Sequence, residues 1–299
     1  MITKTEKNYF KRKNIVFLAI LVTISISIRL YFLPFETPFK ADAIDYFTFA
    51  FETSKTYQFP TGILKTNDGW PLFLSPIFSI IGTSDMMTLV NAQRVTSVII
   101  SSLTILPVYF LCIKLVSSKY ALIGAGLFGF SHRLMENSIL GLTESLFVFL
   151  VTFVLLFSLS KNLKFYMLSF IFLGLASIVR YEALLFLIPL SIIFFIKFRK
   201  TKISYLKFPL LILIFILILL PIATLRLESN NIDGLTSHTF SNVNITNPNK
   251  FASVLDPSNQ SQNSFISNSF LNTLKFLGLI SIPLFMFFIP TGIYNLIKT

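Results

Sequence analysis

The sequence predicts an all-α membrane protein with about eight transmembrane helices. Three observations lead there. Of 299 residues, 54% are hydrophobic and only 13% are charged, with 35 phenylalanines. A soluble domain carries roughly 25% charged residues, and a core of this size cannot hide so much apolar surface. Apolar runs also recur along the chain at about the 20 residues a helix needs to cross the bilayer. Finally, basic and acidic residues fall in alternate connections between those runs. Cys112 is the only cysteine, so no internal disulfide can form.

The elements follow in order. Residues 1–14 are polar and basic. Residues 15–33 form the first span, which lacks the small-residue cleavage site of a signal peptide. Arg29, near its far end, is expected to snorkel to the interface. A polar loop follows, in which residues 42–52 and 71–82 are predicted as helices lying at the membrane interface. Spans are expected at 89–115, 120–134, 139–159, 163–179, 184–196 and 206–225. Residues 226–270 make a second polar loop containing two glycosylation sequons, at Asn244 and Asn259, and 271–297 is the eighth span. The division is a seven-span core over 1–226, with its first loop at 34–88, and a region 227–299. That region holds the second loop and the last span, as in a short member of its class or a truncated one.

Charge orients the chain. With a cytoplasmic N-terminus, fifteen of the 25 Lys and Arg face the cytoplasm, and of the 13 acids only Glu6 does. The net charge of +12 is thus a consequence of topology and needs no nucleic-acid partner. Both termini are cytoplasmic in this arrangement. The acids and both long loops face outward, at a plasma membrane or, in a eukaryote, the endoplasmic reticulum. No GxxxxGK[ST] loop is present, which argues against ATP-driven work. No His or Cys cluster has metal-binding spacing, and His132 reads as an interfacial residue.

Within the first loop stands Lys40-Ala41-Asp42-Ala43-Ile44-Asp45-Tyr46. It resembles the Asp-Glu-Ala-x-Tyr opening of polyprenyl-phosphate-sugar-dependent glycosyltransferases of the GT-C class, the protein mannosyltransferases and aminoarabinose transferases in particular. Further segments resemble that family in its order. They are Asp68-Gly-Trp-Pro71, Asn91-Ala-Gln-Arg94, Leu142-Thr-Glu144-Ser and Gly174-Leu-Ala-x-x-x-Arg180-Tyr-Glu182. The likeness covers residues 15–226. The chain departs from the pattern at Ala43, where the family has Glu, and carries a second acid at Asp45 instead.

The resemblance implies transfer of a sugar from a polyprenyl- or dolichyl-phosphate donor to a protein, lipid or glycan acceptor, on the extracytoplasmic side and with inversion. Such chemistry needs a carboxylate to take the acceptor's proton and cations for the departing phosphate. Asp42 is the expected base. Asp45, three residues on, shares its helix face, and Asp68 completes the pocket or holds a divalent cation such as Mg²⁺ or Mn²⁺. Lys40, Arg94, Arg133 and Arg180 are the phosphate-binding candidates. Bland readings stand beside these. Asp42 with Asp45 fits a helix cap, Asp68-Gly fits a turn, and the arginines lie near span ends. A transporter or flippase for lipid-linked sugars is the alternative function. Such proteins carry internal repeats and charges at the bilayer midplane. This sequence shows no repeat, and its charges gather at the outer ends.

Overall fold

The structure, a computed structural model, describes residues 12–39, 42–61, 67–198 and 203–230. The eighth span, both sequons and Lys40 lie outside these residues. Every regular element among the described residues is helical. In chain order they are α1 (Arg12–Tyr31), α2 (Asp42–Thr56), α3 (Gly69–Ile81), α4 (Met86–Leu103), α5 (Ile105–Cys112), α6 (Ser118–Gly129), α7 (His132–Ile139), α8 (Glu144–Ser158), α9 (Leu163–Val179), a 3-10 turn (Tyr181–Phe186), α10 (Leu187–Phe198) and α11 (Ile203–Asn230). Four stretches are long and apolar enough to cross a membrane: Lys13–Tyr31, Met86–Cys112, Tyr181–Phe198 and Lys207–Ser229. Helices α3, α8 and α9 are apolar but shorter. The chain is a helical membrane protein with four such stretches among its described residues, against about eight expected over the whole chain.

Two expected spans are cut differently. The span predicted over 120–134 ends at Gly129, and the one over 139–159 is interrupted before Glu144. The second interruption has a clear cause. Gly141 sits in the left-handed region at φ +72. Its N–H donates to Ser138 O, and that of Leu142 donates to Asn137 O, each at 3.2 Å. This pair of bonds closes a helix on a left-handed residue, so α7 stops and α8 starts afresh. The span over 89–115 is nearly continuous, breaking only at Thr104. Pro107 explains that break, since it has no N–H for the Leu103 carbonyl and its ring crowds that group.

The two helices expected in the first loop are both present, α2 and α3. They pack together through Phe47 and Phe78, whose ring centroids are 5.6 Å apart, and Ser79 Oγ donates to Ser54 O at 3.1 Å. The main core joins α2, α3, α4, α8, α9, α10 and α11 around Trp70, Leu89, Phe170, Leu173 and Phe194. Phenylalanines stack between α8 and α9, with Phe153 and Phe172 at 4.9 Å. A smaller core joins α1, α5 and α6 around Leu18, Ile105 and Ala125. Large side chains such as Ile80, Leu115, Leu127 and Leu185 are about two-thirds exposed or more, as a lipid-facing surface requires.

Arg29 does not snorkel. It is 0% exposed, because its guanidinium turns inward. Nη1 donates to Ser102 Oγ at 2.7 Å and Nη2 to Gly129 O at 2.8 Å. Ser25 Oγ donates to the same Ser102 hydroxyl. The cation thus sits on the C-terminal carbonyls of α6, where the helix dipole is negative, and ties α1 to α4 and α6.

Candidate active site

The site is built from helix ends. Asp42 and Asp45 occupy the first turn of α2, where carboxylates complement the positive end of the helix dipole. Asp42 is exposed and Asp45 half-buried. Asp42 lies inside the helix, one position later than an N-cap. Tyr46, one turn on and on the same face as Asp42, is buried and accepts a long hydrogen bond of 3.5 Å from Asn67 Nδ2. This contact brings the Asp42 face of α2 towards the segment carrying Asp68.

The loop leading to Asp42 is held by Arg94. Its Nη1 donates to Pro34 O at 2.7 Å and Thr37 O at 2.8 Å, and its Nη2 to Pro38 O at 3.3 Å. The guanidinium also lies 4.8 Å from the centroid of the Phe39 ring. Asn91, one turn earlier on α4, donates to Phe35 O. The residue expected to grip phosphate is therefore occupied with loop carbonyls, and only 2% of it is exposed.

Asp68 precedes α3 but makes no side-chain cap. Both of its oxygens go to Arg226, near the end of α11: Nη2 donates to Oδ1 at 2.7 Å and Nε to Oδ2. The two side chains are 3% and 2% exposed. Burial pushes the Asp68 carboxyl up from the ordinary carboxylate range, against the pull of the Arg226 hydrogen bonds and charge. A carboxylate gripped on both oxygens by one guanidinium is poorly placed to take a proton or to ligate a metal. Arg226 is the partner of Asp68 that the sequence reading missed. Its only signal was a lone arginine directly after the apolar run of 206–225.

Three more contacts gather the remaining segments. Trp70 Nε1 and Gln93 Nε2 both donate to Gly141 O, at 3.0 and 2.9 Å, so α3 and α4 meet the turn before α8. Gly69 lies directly on the end of α9; a Cβ there would stand 2.7 Å from Val179 Cα. The next residue, Arg180, joins two carboxylates, reaching Glu144 at 2.7 Å and Glu182 at 2.8 Å. Burial alone would weaken its hold on the proton, but the Glu182 and Glu144 carboxylates outweigh that and raise its pKa. The Arg180 side chain keeps 25% exposure.

The structure thus brings Asp68, Arg94, Glu144, Arg180 and Arg226 to one end of the helices, next to the loop that leads into Asp42 and Asp45. Arg133 lies in the first turn of α7. That side chain is 80% exposed on α7 and pairs with Glu136, three residues on, at 3.7 Å. Among the described residues, no three His, Cys, Asp or Glu side chains come together as a metal would need. A divalent cation therefore finds no ready ligand set among them.

A helical membrane bundle with carboxylates and guanidinium groups collected at one end is the setting that the resemblance leads one to expect of a membrane glycosyltransferase. The comparison with protein families agrees. The model of the family described as "Dolichyl-phosphate-mannose-protein mannosyltransferase" matches residues 70–224, just over half of the chain, and the chain belongs to that family. Arg94, Arg133, Glu144 and Arg180 fall inside the matched residues; Lys40, Asp42, Asp45 and Asp68 precede them and Arg226 follows them. No curated protein and no solved structure matches the chain. The family makes the chain a glycosyltransferase in class.

Proposed function

We propose that the chain transfers a sugar from a polyprenyl- or dolichyl-phosphate donor to an acceptor on the extracytoplasmic face of the membrane, with Asp42 as the base. Asp42 takes the proton of the acceptor hydroxyl as its oxygen attacks the anomeric carbon. The bond from that carbon to the phosphate oxygen breaks, and the phosphate leaves with the electron pair, inverting the centre. The observation that carries this reading is the convergence of Asp68, Arg94, Glu144 and Arg180 beside the Asp42 loop. Four segments that resemble the family in sequence order also meet in space.

The roles divide by exposure. Asp42 is the exposed carboxylate at a helix start and acts on substrate; Asp45 stands beside it on the same helix face. Arg94 and the Asp68–Arg226 pair hold the loop and helix ends in place. Arg180, whose side chain is 25% exposed, is the cation offered to the donor phosphate, and the family resemblance adds Lys40. The core over 1–226 carries the chemistry, with both termini cytoplasmic. The test is direct. Purified protein is incubated with lipid-phosphate sugars labelled in the sugar, and the labelled product is identified. Transfer that depends on Asp42 supports the reading. Movement of the intact lipid-linked sugar across a vesicle membrane, with no transfer, would replace it with a flippase.

A further inference from the structure

We propose that the end of α8 remote from Glu144 holds the headgroup of an anionic phospholipid, between Lys114, Lys161 and Lys197. α8 begins at Glu144 and ends at Ser158, so this end lies about 20 Å from the carboxylate cluster. Lys114 Nζ donates to Leu156 O at 2.8 Å, and Lys197 Nζ donates to Ser158 O. Lys161 follows in the turn before α9, and both it and Lys114 lie within electrostatic reach of Lys197. Three ammonium groups are therefore collected around one helix C-terminus.

What is missing nearby among the described residues is an acid. No Asp or Glu occurs in residues 86–135, 145–181 or 183–227, and the described helices that bring α8's far end its neighbours are drawn from those stretches. The carbonyls of Leu156 and Ser158 supply only the partial negative charge of a helix C-terminus. Each ammonium has three donors, and one from each of Lys114 and Lys197 is spent on a carbonyl. The rest, with those of the exposed Lys161, suit the oxygens of a phosphodiester. Beside them Leu115, Leu159, Phe165 and Ile196 are 72, 38, 53 and 65% exposed, an apolar surface for acyl chains. Cations bordered by exposed apolar side chains fit a lipid rather than free phosphate.

The test uses the full chain, purified in a zwitterionic detergent and titrated with phosphatidylglycerol or phosphatidylcholine, with retained lipid counted by native mass spectrometry. Phosphatidylglycerol should bind more tightly, by roughly fivefold per lysine. K114Q/K161Q/K197Q should fall to the phosphatidylcholine level, and K13Q/K119Q should not. K161Q alone leaves both carbonyl contacts intact, so its expected loss of about fivefold does not depend on the stability of the triple variant. Inorganic phosphate at the same concentration should not displace the lipid. Equal retention of the two lipids by the unaltered chain would overturn the proposal. So would displacement by inorganic phosphate, or an equal loss in K13Q/K119Q. None of these readouts involves sugar transfer, so the proposal stands or falls apart from the enzymatic one.

Discussion

At the scale of single residues, the carboxylates separate by environment. Asp42 is exposed at a helix start, whereas Asp68 is buried against Arg226. Asn replaces Asp in a helix first turn with little loss beyond the charge–dipole interaction, about 0.3–1 kcal/mol, yet it cannot accept a proton as a carboxylate does. Asp42→Asn should therefore cut transfer by at least about 10²-fold while thermal melting stays nearly unchanged. Near-normal transfer in that variant would remove Asp42 as the base. The buried pair behaves in the opposite sense. Asp68→Ala or Arg226→Ala alone leaves an uncompensated charge and should destabilise by about 3–5 kcal/mol, while Asp68→Leu with Arg226→Met should recover much of that loss. Melting of the four proteins in detergent checks it; equal losses in the single and double variants would show that the pair is not the source. For the donor phosphate, Arg180→Ala should weaken donor use by about 1–3 kcal/mol, with partial rescue by Lys, which lacks the planar fork. Unchanged donor dependence would leave Arg180 only as the partner of Glu144 and Glu182. The helix that starts at Asp42 was legible because its residues are adjacent in the chain. The Asp68–Arg226 pair spans 158 positions, and nothing local in the sequence links its members.

At the scale of elements, glycines decide how helix ends meet. Gly141 has φ +72, and a Cβ there would stand 3.1 Å from the Phe39 ring and 3.3 Å from Gln93. Gly141→Ala should cost roughly 1–2 kcal/mol from backbone conformation, and more through contact with the loop before Asp42. Gly69→Ala drives a methyl into the Val179 main chain, so the end of α9 must shift. It should cost about 1–3 kcal/mol and lower transfer as well. Gly126→Ala is the control, for its Cβ meets only Leu21 at 3.8 Å and a helix interior favours Ala by about 0.5–1 kcal/mol. Melting curves that rank the three variants otherwise would refute this account of the packing. The helices themselves were largely legible from apolar runs. The stop between α7 and α8 was less so, because an apolar run of 21 residues outweighs one glycine, although Gly141 carried the signal. The inward turn of Arg29 was not legible at all, since its partners come from α4 and α6.

At the scale of the whole molecule, the outward placement of the carboxylate end rests on the charge asymmetry, and accessibility tests it. In a Cys112→Ser background, cysteine at Tyr57, which is 81% exposed after α2, should react with an impermeant thiol reagent in intact cells. Cysteine at the exposed Ser117, before α6, should react only after lysis. Labelling of the Ser117 site from outside would invert the orientation and move the chemistry to the cytoplasm.

The inward Arg29 also bears on how the chain is made. Its hydroxyl partner lies 73 residues later and its carbonyl partner 100 residues later. A ribosome therefore releases α1 into the membrane well before either partner exists. An arginine at the centre of a lone helix opposes insertion by about 2.5–3.5 kcal/mol, and less near an end, so the newborn α1 must keep its guanidinium at the lipid headgroups. Helix α1 then reaches its final depth or rotation only once α6 has emerged. Nascent chains that keep Arg29 and carry Ile28→Cys in the Cys112→Ser background should leave that cysteine open to aqueous reagents when arrested between α5 and α6, and protect it when arrested after α8.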